Sequence, residues 1–146
     1  MRALRIDPDT TVTELLLPRK DAFCVIGEQV GSPDCVDQGV YHRRAVLHIH
    51  GSGRTLGLPQ NLTAWALASA WRGVAVYPLA GTIVVTGRTA DGDAAALDDD
   101  LAEHVQTVAR TVRETLAQWR RRPPSSDEAA IGELLAYAAR DVASSR

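Results

Sequence analysis

The segment AVLHIHGSGRTLGLPQN, residues 45–61, joins an apolar run to a glycine-rich stretch and then to the start of a helix. Residues 45–50 have the composition of a strand, and the Gly-Ser-Gly at 51–53 permits a tight reversal. Residues 54–58 are predicted to return as a partner strand. Asn61 is predicted to cap the helix that follows, since its side chain can accept a hydrogen bond from a helical N–H group. The segment therefore predicts a hairpin followed by a helix.

Strands and helices are also predicted on both sides of this segment. Further strands are predicted at residues 2–6, 11–17, 39–42, 74–77 and 81–87, and helices at 20–30, 62–72 and 98–122. A last helix is predicted after Ser125, which has capping-box spacing from Glu128. The order predicts an α+β fold: a small, mostly antiparallel sheet with helices on one side, followed by a C-terminal helical hairpin. Residues 1–93 would form the small α+β domain. Residues 97–146 would form two helices that pack on it or on a second subunit.

The composition disfavours several classes of protein. The 146 residues are the usual length of one domain. The chain has 16 basic and 18 acidic residues, and this near-neutral balance disfavours a protein that coats nucleic acid. No run of about eighteen apolar residues could span a membrane, and the N-terminus lacks the pattern of a signal peptide. We expect a cytoplasmic protein without a membrane partner.

Three histidines and one cysteine are the candidate metal ligands: His42, His48, His50 and Cys35. His48 and His50 lie two residues apart on a predicted strand, so their side chains share one face. His42 could reach that face from a neighbouring strand, and zinc needs three or four such ligands. The spacing matches no tight zinc motif, and the alternative is that these histidines lie on the solvent face of a hairpin. No cofactor is predicted, and zinc is the alternative.

The glycines at 51–53 raise the question of a phosphate-binding loop. Such a loop needs its glycines directly before a helix N-terminus, where N–H groups point at the anion. Here about eight residues and a predicted strand separate the glycines from the helix that starts after Asn61. A G-x-G-x-x-G motif would also require glycine where Leu56 stands. The hairpin interpretation is therefore favoured.

The helix at 98–122 carries an apolar stripe, which consists of Leu101, Val105, Val108, Val112, Leu116 and Trp119. Burial of each side chain is worth about 1.5–3 kcal/mol, so the stripe cannot face water. It must cover the sheet, pack against the last helix or bury against a second copy of the chain. We take the stripe as the candidate interface for a protein partner or a homo-oligomer.

A second candidate surface consists of Tyr41, Arg43 and Arg44, because an aromatic ring among arginines can stack on a base. The alternative is an exposed loop, and nucleic acid is not the favoured partner. The acidic residues between 91 and 103 could instead imitate phosphates locally. A nucleic-acid binder or mimic is therefore one alternative function. The other is a metal- or nucleotide-binding enzyme centred on His42, His48 and His50.

Four short motifs occur in a familiar order: IDP at 6–8, EQVG at 28–31, GLPQN at 57–61 and GTIVVTG at 81–87. Over roughly residues 1–93 the chain resembles a family of bacterial proteins known as a domain of unknown function, number 3846, often found on phages and plasmids. The family usually carries acidic residues where His48, Ile49 and His50 stand here. The resemblance implies a fold and a mobile-element origin but assigns no catalytic residue. Since the sequence shows no convergent catalytic set and carries the apolar stripe on its long helix, we expect a small non-enzymatic interaction or regulatory protein.

Overall fold

The structure is a computed structural model that describes residues 1–31 and 34–144. Its elements in chain order are β1 (Arg2–Ile6), β2 (Val12–Leu16), α1 (Ala22–Val30), β3 (Val36–His42), β4 (Ala45–His50), α2 (Leu62–Arg72), β5 (Ile83–Arg88), β6 (Ala94–Ala95), α3 (Asp99–Arg121) and α4 (Asp127–Ser144). The strands form one sheet in the order β2-β1-β5-β4-β3, and β6 pairs with the end of β5. Every pair is antiparallel. The predicted α+β fold with a C-terminal helix pair is confirmed.

Side-chain alternation along the central strands creates two apolar faces. Leu4 of β1, Leu47 of β4 and Val85 of β5 belong to the larger core. Ala3 and Val84, their neighbours along β1 and β5, belong to a smaller cluster on the opposite face. Successive residues of a strand point to opposite faces of the sheet. A sheet with two apolar faces must therefore be covered on both faces.

The helices divide unequally between these faces. Residues of α2, α3 and α4 pack in the larger core. The first helix, α1, packs on the other face, where Ile26 and Val30 meet Leu17 and the strand residues of the smaller cluster. The sequence placed the helices on one side, and α1 departs from that arrangement because the second face is also apolar.

Asn61 caps α2 as predicted, and it also joins three parts of the chain. Its Oδ1 accepts a hydrogen bond from the Ala64 N–H at 3.0 Å. Its Nδ2 donates to the carbonyl oxygen of Ile6 at 3.0 Å and to that of Gly81 at 2.9 Å. The side chain is buried, so these three bonds fix the start of α2 against the end of β1 and the approach to β5.

Two predicted strands and one predicted cap are wrong. Residues 51–57 form successive turns, and residues 74–77 lie outside regular secondary structure. β4 already has β3 and β5 as neighbours, so residues 54–58 find no free edge of β4 to pair with. Ser126, not Ser125, caps α4, because its Oγ accepts from the Ala129 N–H at 3.0 Å.

The C-terminal helices share the core of the sheet. The α3 residues Leu101, Val105, Val108 and Val112 are fully buried in the same cluster as Leu47. Leu134 and Ala138 of α4 belong to it as well. Residues 97–144 therefore pack on the sheet of their own chain. Among residues 1–31 and 34–144, none of the helices combines the length and the apolar character needed to cross a bilayer.

Candidate functional site

The sheet separates the histidines of the predicted metal site. His48 is fully buried on the face of α1, where its ring meets Phe23 edge to face with centroids 6.1 Å apart. His42 lies on the other face, with its ring centroid 5.3 Å from that of Trp71 in α2. Within residues 1–31 and 34–144, no group of three or more His, Cys, Asp or Glu side chains is arranged to hold a metal ion. The predicted convergence of His42 with His48 is wrong.

A bulge in β3 explains this error. Gly39 pairs with Leu47 on the larger face, so strict alternation would place His42 on the face of His48. The register shifts between Gly39 and His42, and His42 pairs with Ala45 instead. An extra residue in a strand moves every later side chain to the other face.

The remaining candidate ligands of this set, His50 and Cys35, lie at the same end of the β3–β4 ladder, where Val36 pairs with His50. His50 uses its Nδ1 to accept a hydrogen bond from the Ser52 N–H at 3.1 Å. Cys35 is an exposed free thiol in the segment before β3. Within the described residues, the three histidines and Cys35 therefore do not form a group that could hold a metal ion.

The glycine-rich turns do not present N–H groups to a phosphate. The Gly53 N–H donates to the His50 carbonyl oxygen at 3.1 Å, and the Leu58 N–H donates to the Gly53 carbonyl oxygen at 2.9 Å. The Leu56 N–H likewise donates to the Ser52 carbonyl oxygen at 2.9 Å. A phosphate-binding loop needs such groups directed outward. These turns therefore close on themselves and do not form an anion site.

The three residues of the predicted nucleic-acid contact do not form a free basic patch. Arg44 is held by two carboxylates, with Nη1 2.6 Å from Asp98 and Nη2 2.7 Å from Asp100. Tyr41 is half-buried, and the Arg72 guanidinium lies 6.0 Å from its ring centroid. Only Arg43 is exposed. Asp98 and Asp100 thus neutralise one of the two arginines of this candidate nucleic-acid surface.

The predicted partner interface is also corrected. Four residues of the α3 stripe, Leu101 to Val112, are fully buried inside the chain, and Leu116 and Trp119 pack against the same core half-buried. They cannot form a surface for a partner without unfolding α3 from the sheet. The stripe is explained by intramolecular packing, because the sheet face is broad enough to cover it.

An open cleft lies instead beside the end of β4 and has a volume of about 280 Å³. Residues of β3, the end of β4, the turns after it and the loop before β5 line it, and they include Asp37, Tyr41, Ile49, Arg54, Tyr77 and Leu79. The Tyr41 ring lies against Gly39, since a Cβ atom there would be 2.5 Å from Tyr41 Cε2. Glycine at position 39 therefore lets this ring pack against the wall of the cleft.

The lining of the cleft includes an arginine, Arg54, that lies over a tyrosine ring. The Arg54 Cζ lies 5.8 Å from the centroid of the Tyr77 ring. Within the part of the chain that the structure describes, Arg54 forms no ion pair. Tyr77 is 79% exposed. The sequence interpretation missed both residues because it placed them in strands. The one signal in the sequence that could have indicated Arg54 as a functional residue was its position as the single arginine in the glycine-rich segment. We call this feature the Arg54–Tyr77 cleft.

Comparison of the chain with models of protein families, with curated proteins and with solved structures finds no match. The resemblance over residues 1–93 therefore depends on its four short motifs alone. Any function must be argued from the geometry of the chain itself.

Proposed function

We propose that this chain is a non-enzymatic interaction protein that binds an acidic segment of a partner protein in the Arg54–Tyr77 cleft. The observation that carries the proposal is an unneutralised guanidinium beside a tyrosine ring that is 79% exposed. Arginine and tyrosine are among the residues that contribute most to binding energy at protein interfaces.

The chemistry of the cleft favours a carboxylate beside an apolar side chain. Arg54 offers a planar set of N–H donors that matches both oxygens of a carboxylate. Ile49 and Leu79 supply apolar lining, and about 280 Å³ is at the lower end of volumes that hold small-molecule ligands. The cleft therefore suits one apolar side chain with an acidic neighbour.

Asp37 lines the same cleft and bears on the choice of partner. It forms no ion pair within the described part of the chain, so its negative charge remains. A polyanion that approached Arg54 would also approach this carboxylate. The cleft therefore favours a protein segment with a single acidic group over nucleic acid.

The proposal has two further parts, a location and an origin. A cytoplasmic location is supported by the two free, exposed thiols of Cys24 and Cys35, since exposed thiols are typical of reducing compartments. A mobile-element origin is supported by the resemblance of residues 1–93 to the family described above. Neither part depends on the cleft.

The test is a selection from a random peptide library displayed on phage, followed by affinity measurement with synthetic peptides. We expect enrichment of peptides that pair an acidic with an apolar residue. Arg54→Glu should weaken their binding at least tenfold, about 1.4 kcal/mol, because it places like charges together. Tyr77→Ala should also weaken it. Leu16→Ser is the matched control, since Leu16 is 87% exposed on β2 and lies outside the cleft.

Three outcomes would contradict the proposal. The library could yield no peptide, or the enriched peptides could bind the Arg54→Glu chain as tightly as the original. Sedimentation could also show a dimer that Arg54→Glu abolishes, which would make a second copy of this chain the occupant of the cleft.

A further inference from the structure

His48 is a buried imidazole that the proposed function does not use. It lies in the middle of the sheet, opposite Gln38 of β3 and Val84 of β5. Its Nε2 is 2.9 Å from the Thr86 Oγ1. Phe23, which is half-exposed, covers it from α1. The ring is therefore enclosed by neutral groups.

The Thr86 hydroxyl lies within hydrogen-bond distance of both the His48 Nε2 and the Gly87 carbonyl oxygen. The Thr86 hydroxyl donates to the Gly87 carbonyl oxygen at 2.9 Å. With its one hydrogen on that carbonyl oxygen, the hydroxyl can accept from an Nε2–H of His48, and a doubly protonated ring can keep this bond. The Nδ1 of His48 is buried and has no hydrogen-bond partner in the described chain. A second proton would have to bind at Nδ1, where no acceptor receives it.

Among the residues that the structure describes, the groups that pair with or touch His48 are uncharged at neutral pH. The groups that face His48 from α1, β3 and β5 are Phe23, Gln38, Val84 and Thr86, and none of them ionises near neutral pH. The described ionisable groups nearby have other partners or are exposed. Arg5 bonds to Gln29 and pairs with Asp7, Asp37 lies against Gly51, and His50, two residues along β4, accepts from the Ser52 N–H. Asp21, Glu28 and Arg88 are exposed. Burial alone lowers the pKa of His48 to about 4.

The helix that covers His48 is attached by the smaller of the two cores. Ile26 and Val30 anchor α1 in that cluster, whereas three helices share the larger one. Asp21, at the N-cap of α1, has a φ of 62° and no side-chain capping bond. A non-glycine residue rarely adopts this conformation, and an uncapped helix end is less stable. α1 is therefore the helix whose detachment would cost least.

We propose that protonation of His48 releases α1 from the sheet while the larger core stays folded. An exposed imidazole binds a proton more tightly than the buried one, so below about pH 6.5 acid favours the open state. Each further pH unit should raise the open population about tenfold. Ala22, Phe23 and Cys24 also form one wall of a cavity of about 740 Å³, so release of α1 would open this cavity.

The test is native-state hydrogen exchange of the full chain between about pH 7 and pH 4.5, corrected for intrinsic exchange rates. Below about pH 6.5 the protection of α1 amides should fall about tenfold per pH unit, and that of α3 amides should fall less steeply. His48→Gln, which cannot titrate, should remove the pH dependence in α1. His50→Gln is the matched control two residues along the same strand, and it should keep the original dependence.

A second variant keeps the proposal testable if His48→Gln does not fold. Ile26→Val weakens the packing of α1 without touching His48, so it should raise exchange in α1 at every pH and keep the slope. Equal slopes in α1 and α3 would indicate global unfolding and overturn the proposal. A flat profile in α1, or a slope that survives in His48→Gln, would overturn it too.

Discussion

The indole N–H of Trp71 in α2 donates a hydrogen bond to the Nδ1 of His104 in α3 at 3.0 Å. His104 is buried, and Trp71 is half-buried. This bond connects the helix that follows β4 with the first of the two C-terminal helices. The C-terminal pair is therefore bonded into the fold through polar as well as apolar contacts.

Trp71→Phe should lower the free energy of unfolding by about 1–3 kcal/mol, because it leaves the buried Nδ1 of His104 without its donor. Urea unfolding would measure the change. Trp119→Phe is the matched control, since the Trp119 Nε1 is buried and has no hydrogen-bond partner among the described residues. The control should cost less, and an equal loss in both variants would show that ring volume, not the hydrogen bond, is responsible.

Asn61→Ala should destabilise the chain by about 2–5 kcal/mol, because it removes the cap of α2 and the donors to two carbonyl oxygens. Asn61→Asp separates these roles. Aspartate can still accept from Ala64 but cannot donate to Ile6 and Gly81. Thermal unfolding should therefore show that Asn61→Asp is nearly as damaging as Asn61→Ala. Recovery of most of the stability by aspartate would mean that capping alone matters.

Leu101→Ala should cost about 2–5 kcal/mol in urea unfolding, since Leu101 is fully buried between α3 and the sheet. Leu16→Ala removes the same atoms from a side chain that is 87% exposed and should change stability by less than about 0.5 kcal/mol. Similar losses at the two positions would contradict the burial of α3 on its own sheet. A loss at Leu101 that depends on protein concentration would point to a second copy.

Arg44→Gln should lower stability by less than about 1 kcal/mol, since the arginine and its two carboxylates are more than one-third exposed. Arg44 lowers the pKa of the Asp100 carboxyl below its usual range. A lowered carboxyl pKa stabilises the fold above the ordinary value near 3.9 and loses this contribution as the carboxyl is protonated. The difference between the two chains should therefore be present at about pH 7 and vanish at about pH 2.

The control for this pair is Arg43→Gln, because Arg43 is exposed and forms no ion pair within the described chain. Urea unfolding of both variants in low and high salt would separate the pair from a general effect of charge. Only Arg44→Gln should show a difference that salt reduces. The same salt response in Arg43→Gln would contradict a specific pair with Asp98 and Asp100.

The helices and turns that depend on neighbouring residues could be predicted from the sequence. The β1–β2 hairpin, the cap of α2 at Asn61 and the long α3 follow from turn residues, capping residues and apolar periodicity. These signals act over a few residues, so a single stretch of sequence contains them. The burial of the stripe from Leu101 to Val112 was also predictable, but the surface that covers it was not.

Features that depend on contacts between residues far apart in the chain could not be predicted from the sequence. Residues 54–58 have the pattern of a strand but form turns, because the edges of β4 are occupied by β3 and β5. His42 faces away from His48 because a single bulge in β3 changes its alternation. Arg54 and Tyr77 meet only because the turns after β4 fold back toward the loop before β5.

The sequence by itself determined which segments are helical and where several of them begin, because hydrogen bonds and side-chain periodicity within a helix involve near neighbours. The tertiary structure decided which strands pair, which face each histidine occupies and which surface stays open. Those outcomes depend on packing between residues far apart in the chain. A shift of one residue in a strand moves each of its side chains to the other face of the sheet. The Arg54–Tyr77 cleft and the enclosed His48 both belong to this second class.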